Sequence, residues 1–391
     1  MYGLKALSST LNRVQQPDIF YEPALCSRTR WRHSHCSLCQ EGCAPGALQL
    51  TNQIDLNESK CTGCGLCISR CPNGVFWSRR RDDAALIRQI AGLLSSSTRK
   101  TIEFDCGRSG QVGQDVLTLP CLGRLTENLI LAPLVLGANL VEIHWPECRG
   151  CANENCLSHL RSVLLLVTKL TTMVGLGEDV VQVRRSGQYS EHMPDISPCF
   201  SRRHFLRDLT REAGQALVTL LPEFASEKPS GTLRHVVGAK RLILLKLIGT
   251  FPQHTPIRIE RKGLPVAEVE IHSGCVGCPV CATLCPTGAL ERTENAEGVN
   301  ICFHPEICTA CHICQEACML RVISTSPEFR LESLYERNTK LLCRLTARIC
   351  QNCGDSFWGD AESNLCGYCR MKQRMAHPDL HKDFPRGREQ T

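Results

Sequence analysis

Between residues 83 and 186 the apolar positions switch repeatedly between two periods. In 83–97 they fall three and four apart, the spacing of one helix face, whereas 101–104, 116–119, 140–143 and 180–183 are short apolar runs of strand length. The helical spacing returns in 127–137 and 156–174, between successive strands. The segment 83–186 is therefore predicted to be a small α/β domain with a largely parallel sheet. On either side the pattern shortens. Residues 46–50 and 52–56 read as a hairpin of two small strands, and 288–290 with 298–303 repeat it about two hundred residues later. These hairpins lie within two short units, 21–80 and 263–325.

The rest of the chain carries less pattern. Residues 1–20 form a polar lead-in. Residues 187–262 read as a linker with a proline-bounded loop, a helix near 204–220 and a Ser/Pro/Gly stretch at 226–231, with few buried groups expected. In 326–375 a helix over 327–349 is predicted to precede a cysteine knuckle, and 376–391 is a basic, proline-containing tail with no expected fold. The fold class is thus α+β and α/β multidomain.

Cysteine changes this picture most. Sixteen of the 28 cysteines fall into four runs: Cys26, Cys36, Cys39, Cys43; Cys61, Cys64, Cys67, Cys71; Cys275, Cys278, Cys281, Cys285; and Cys308, Cys311, Cys314, Cys318. Each C-x2-C-x2-C stretch suits three thiolates on one [4Fe-4S] cube, with the fourth cysteine of a run reaching the partner cube. The regular spacing favours metal over a disulfide scaffold, which belongs to short secreted chains. The two units resemble the bacterial two-cluster ferredoxins over 268–324 and, with one irregularity, over 26–76. That resemblance implies four [4Fe-4S] clusters: on Cys26, Cys36, Cys39 and Cys71; on Cys61, Cys64, Cys67 and Cys43; on Cys275, Cys278, Cys281 and Cys318; and on Cys308, Cys311, Cys314 and Cys285. It also implies an electron carrier.

The irregularity lies between Cys26 and Cys36, where nine residues including Arg28, Arg30, Trp31, Arg32, His33 and His35 replace the usual tight turn by a basic loop. A looser or three-iron cluster is one reading there, and His33 or His35 as a replacement ligand another, a solvated His being the commoner outcome. Met319 and Ala44 stand where proline usually follows the fourth cysteine.

A further group follows the predicted strands of the α/β domain. Cys106 and Cys121 end the first two, and Cys148, Cys151 and Cys156 follow the third, so all five gather at the carboxyl edge where ligands of parallel sheets bind. The Pro120-Cys121-Leu122-Gly123-Arg124 stretch and the downstream cysteines resemble the iron-sulfur (delta) subunit of methyl-viologen-reducing hydrogenases over about 101–185. The resemblance implies a [2Fe-2S] cluster and partners of the heterodisulfide-reductase type, without fixing which four of the five cysteines bind; buried structural cysteines are the alternative. At the C-terminus Cys350, Cys353, Cys366 and Cys369 form two knuckles twelve residues apart, each with a glycine, for which tetrahedral Zn is the expected metal and iron the alternative. Cys199, Cys302 and Cys343 have no partner spacing and read as free thiols.

Charge and targeting add limits. The formal charge of +6 would suggest an anionic partner, but four oxidised cubes with their thiolates contribute about −8 and bring the holo-protein to about −2. No nucleic acid is expected, since Asp379, Asp383 and Glu389 dilute the tail. The most apolar stretches, 160–177 and 236–251, are interrupted by Arg161 and Lys169 and by Lys240, Arg241 and Lys246, so no membrane span is expected. No basic-then-apolar leader opens the chain, and the expected compartment is the cytoplasm. The twin arginine in Ser201-Arg202-Arg203-His204-Phe205-Leu206-Arg207 lies too far inside to act as a leader; it is similar to a stretch preceding the clusters in accessory ferredoxins of periplasmic nitrate reductase, which suggests a docking segment.

No Gly-rich dinucleotide fingerprint follows a strand, Gly175-Leu176-Gly177-Glu178 lacking the third glycine, and no catalytic constellation stands out. The expected function is a soluble electron-transfer protein relaying single electrons between partner oxidoreductase subunits, of hydrogenase or heterodisulfide-reductase-like complexes, without catalysis of its own. An assembly or maturation factor for a molybdenum or iron-sulfur enzyme is the alternative.

Overall fold

The computed structural model describes residues 18–51, 53–107, 115–146, 148, 150–185, 235–251 and 255–376. The helix expected near 204–220, the twin-arginine stretch, Cys199 and the basic tail lie outside them.

The first unit runs β1 (Phe20–Tyr21), α1 (Ser27–Arg30), α2 (Leu38–Gly42), β2 (Leu48–Leu50), β3 (Ile54–Leu56), α3 (Leu66–Arg70) and β4 (Phe76–Trp77). Two antiparallel pairs hold it: β2 with β3 as the inner hairpin, and β1 with β4, closing the unit end to end. Phe20 stacks on Trp77 across the outer pair, ring centroids 4.8 Å apart.

The next segment follows the predicted periods. Helix α4 (Asp83–Ser96) starts where Asp82 accepts the Ala85 amide at 2.6 Å, and it buries Leu86, Ile87, Ile90 and Leu94 on one face. Strands β5 (Thr101–Cys106) and β6 (Val116–Leu119), helix α5 (Glu127–Val135), strand β7 (Leu140–Trp145), helix α6 (Cys156–Met173) and strand β8 (Val181–Arg185) complete it. The strands form an all-parallel sheet in the order β6-β5-β7-β8. Both crossovers step the same way across the sheet, so right-handed connections put α5 and α6 on one face. Ile102, Phe104, Val141 and Ile143 fill that interface completely buried, each side chain contributing about 1.5–3 kcal/mol relative to exposure.

Helix α7 (Ala239–Gly249) corrects the expectation of few buried groups in 187–262. Ile243, Leu244, Leu247 and Ile248 are buried in the same core as the α/β domain, which continues into Ile259, Val266, Phe329 and Leu334. Its charges, which interrupt the apolar pattern in sequence, are tied down: Lys240 donates to Ser69 O at 2.5 Å, and buried Arg241 to Pro265 O at 2.8 Å and to Cys308 O. The helix thus touches both cysteine-rich units and the domain between them.

The second unit comprises β9 (Arg258–Glu260), β10 (Val269–Ile271), α8 (Val280–Leu284), β11 (Leu290–Asn295), β12 (Gly298–Phe303), α9 (Ile313–Ala317) and β13 (Ile323–Thr325). Again an inner hairpin, β11 with β12, lies inside an outer pair, β10 with β13. The helix expected over 327–349 is replaced by β14 (Glu328–Arg330), which pairs with β9, a single turn α10 (Ser333–Glu336) and the long strand β15 (Lys340–Ile349). The open edge of β12 decides this, because it supplies hydrogen bonds to 340–349 that a surface helix would have to make alone. Strand β16 (Ser356–Gly359) then pairs with β15, and α11 (Gly367–Ala376) closes the described chain.

Candidate metal centres

Tight backbone turns aim the cysteines. Gly63 and Gly65 between Cys61 and Cys67, Gly277 after Cys275, and Ala310 and His312 between Cys308 and Cys314 all take positive φ, from 54° to 76°. Amides in these turns face the sulfurs: Gly277 N–H donates to Cys275 at 3.5 Å, and the amides of Gly63, Leu66, Ala310 and Ile313 oppose the rise in pKa at Cys61, Cys64, Cys308 and Cys311. Amide donors stabilise negative charge on sulfur. Glycine adopts such turns without strain, whereas Ala310 and His312 hold them at a cost.

Four groups of thiols converge, each across two runs. The electrostatic neighbours of Cys39 are Cys71, Cys36 and Cys26. Cys67 has Cys64, Cys61 and Cys43 beside it, and Cys281 has Cys278, Cys275 and Cys318. Cys314 has Cys311, Cys308 and Cys285. We refer to these as the Cys39, Cys64, Cys281 and Cys311 sets. His33 and His35 are exposed, and His35 meets the second unit through its main-chain amide, 3.2 Å from Glu316.

Burial pushes Cys64, Cys71 and Cys311 up to about 11 and Cys281 and Cys308 up to about 12; Cys39, Cys67 and Cys314 also rise, neighbouring thiolates adding to burial. Thiols crowded like this stay protonated unless a cation lies among them, when coordination makes the thiolate the stable form. The Cys64 set rings a hollow of about 360 Å³ whose other walls are Thr62, Gly65 and the apolar Ile19, Pro45, Ala47, Leu48, Leu56 and Leu66, and the Cys311 set one of about 390 Å³. A soft, sulfur-only donor set in an apolar hollow fits an iron-sulfur cluster.

The five α/β cysteines line one cavity with Pro120, Pro146 and Leu157. Cys156 lies within hydrogen-bond reach of both Cys121 and Cys148, and these contacts, with burial, raise its pKa. The Asn153 amide donates to Cys151 and that of Gly123 to Cys121, each at 3.4 Å, whereas the Cys106 thiol donates to Pro120 O at 3.9 Å. Gly123 is required here: a Cβ would stand 2.6 Å from Cys156 Cβ and 3.1 Å from Leu66.

The sets form a row. Cys121 is an electrostatic neighbour of Cys64, and Leu66, Cys121 and Cys156 pack as one buried cluster. Cys67 neighbours Cys39, Cys36 lies near Cys311, and Cys281 near Cys314. At the far end Cys343, a free thiol as expected, is brought by β15 within hydrogen-bond reach of Cys275, which lowers the Cys275 thiol to about 7. Cys302 sits on β12 with a pKa raised by burial and Glu291.

The sulfurs of Cys350, Cys353, Cys366 and Cys369 lie within 4.8 Å of one another. The Cys366 amide donates to Cys350 at 3.3 Å and lowers that thiol to about 6, and Asn352 Nδ2 donates to Cys369 at 3.2 Å. Among the described residues one other close group of potential ligands, which sequence spacing does not signal because only parallel register assembles it, is Glu103, Glu142 and His144 on β5 and β7. Its members are engaged, His144 with Glu103 at 3.1 Å and Glu142 with Arg184 at 2.5 Å.

A sequence model described as the 4Fe-4S binding domain matches residues 54–77, the stretch that holds Cys61, Cys64, Cys67 and Cys71. No curated protein and no solved structure matches the chain. The chain therefore carries a 4Fe-4S binding domain, which supports at least one 4Fe-4S cluster and is consistent with an iron-sulfur electron-transfer role. Among the described residues no helix is long and apolar enough to cross a membrane.

Proposed function

We propose that this protein is a multi-centre electron relay, passing single electrons between partner oxidoreductase subunits. The observation that carries this reading is the row of sets from Cys121 to Cys281, drawn from residues up to 292 positions apart in sequence. In this reading the Cys64, Cys39, Cys311 and Cys281 sets each hold a [4Fe-4S] cluster, which supplies reversible one-electron chemistry. The protein's own part is to exclude water, supply amide donors to sulfur and fix the spacing. The fold units are then two dicluster ferredoxin-like units, 21–80 and 263–325, around the α/β domain.

At the sheet edge Cys121, Cys148, Cys151 and Cys156 would hold a [2Fe-2S] cluster. Cys106 is taken as the fifth, because Cys156 lies within hydrogen-bond reach of both Cys121 and Cys148 and the Asn153 amide faces Cys151. The C-terminal four would hold a structural Zn, their amide donors favouring thiolate. Anaerobic purification with iron, sulfide and zinc analysis tests the whole. The expected content is about eighteen irons, from four cubes and one [2Fe-2S] centre, with one zinc. A colourless, folded, iron-free protein overturns it.

A further inference from the structure

The nine residues between Cys26 and Cys36, which break the pattern shared by the other three runs, fold into the α1 turn and a loop. Three of them reach the second unit. Ser27 Oγ accepts from Asn73 Nδ2 at 3.2 Å, and Asn73 Oδ1 accepts at 2.5 Å from Thr309 Oγ1, next to Cys308 in the chain; Ser27 also lies beside the Cys311 thiol. Arg30, 7% exposed, donates from Nε to Ala24 O at 2.6 Å and from Nη1 to Thr283 O at 3.3 Å and Cys285 O at 3.4 Å. The His35 amide donates to Glu316 at 3.2 Å.

We propose that this insert couples the two cysteine-rich units electronically, Ser27 providing, through Asn73 and Thr309, a hydrogen-bonded route from the Cys39 set to the Cys311 set, and Arg30 a positive charge against the Cys311 set. The inference rests on the relay reading above. From Cys26 the route is one peptide link to Ser27, two hydrogen bonds through Asn73 to Thr309, and one peptide link to Cys308. A buried guanidinium is costly unless negative charge lies nearby. Burial lowers the Arg30 pKa, and Cys285 and Cys311 oppose that shift; thiolates of a loaded set would oppose it further. Positive charge and hydrogen bonds near sulfur raise a cluster's potential. No atom is transferred: one electron leaves one set as the other gains it, the donor in the test being dithionite.

The alternative is a clasp that only holds the units together, and a clasp does not predict potentials. The test uses the full-length protein purified anaerobically, with Ser27→Ala, Arg30→Gln and Arg30→Lys, iron content and EPR-monitored redox titration. Ser27→Ala is expected to keep its iron, move one signal to lower potential and weaken the spin–spin broadening between two centres. Arg30→Gln is expected to move one signal, that of the Cys311 set, to lower potential, and Arg30→Lys to restore most of that shift. Iron-replete variants with wild-type potentials and line shapes overturn the coupling while leaving the relay standing. If Arg30→Gln loses iron, Ser27→Ala and Arg30→Lys decide in the same way. Wild-type protein devoid of iron overturns the relay and this inference with it.

Discussion

Arg124 and Asp83 form an ion pair of 2.8 Å with side chains only 1% and 5% exposed. Asp83 also accepts from Thr126 at 2.9 Å and Asn128 at 2.7 Å, and Arg124 donates twice to Arg81 O. The Arg124 stem fills the space above Gly65, where a Cβ would be 2.5 Å from its Cδ. The arginine thus seals the junction between the α/β domain and the first unit. Arg124→Met strands a buried carboxylate and is expected to cost about 3–5 kcal/mol. Thermal unfolding of the two proteins checks it, and an unchanged melting temperature counts against the junction.

Ala310 occupies the place in its run that Gly63 holds in the first unit, with φ of 54° against 64°. Ala310→Gly is expected to relieve strain and stabilise the protein by about 1 kcal/mol, whereas Gly63→Ala destabilises by a similar amount. Opposite shifts in melting temperature under anaerobic conditions are the expected result.

His159 on α6 is held well below its usual range, down to about 3, by burial first and then by Lys240 and Arg70. Above pH 6.5 both folded and unfolded chains carry it neutral. Below 6.5 the unfolded chain takes up a proton that the fold refuses, so stability falls toward pH 3 by about 1.4 kcal/mol per pH unit. Between pH 7 and pH 5 the wild type should therefore lose more stability than His159→Gln. Equal losses would show that the site tolerates the charge.

With zinc on the C-terminal four as proposed, chelation or Cys366→Ser is expected to remove one zinc per chain and release β15, β16 and α11. Structural zinc sites of this kind contribute about 10–16 kcal/mol at neutral pH. Hydrogen exchange should rise across 340–376 and stay slow in 86–94 and 129–132. Slow exchange retained throughout the zinc-free protein would assign the knuckle no structural role.

The α/β domain was legible because its strands are short and its helices carry clear apolar faces: Ile102, Phe104 and Ile143 lie where their period puts them. The spacing of the cysteine runs likewise singled out residues that the fold brings together. What was not legible depends on distant partners. Residues 340–349 alternate exposed Leu341 with half-buried Leu342 and fit either period until β12 offers an edge. Helix α7 reads as interrupted by charge because nothing local reveals the carbonyls of Ser69, Pro265 and Cys308 that receive Lys240 and Arg241. Ser27 and Arg30 were visible only as part of an odd spacing; their partners lie some 250 residues further on.

The pairing of β15 with β12 has a consequence for biosynthesis. While the ribosome is still producing residues 304–339, the inner hairpin of the second unit has an uncovered edge, and Cys275 has yet to meet Cys343. Loading of the Cys281 set before that strand arrives would take place in a half-built pocket open to water and oxygen, so cofactor insertion there is best timed to follow translation of the knuckle.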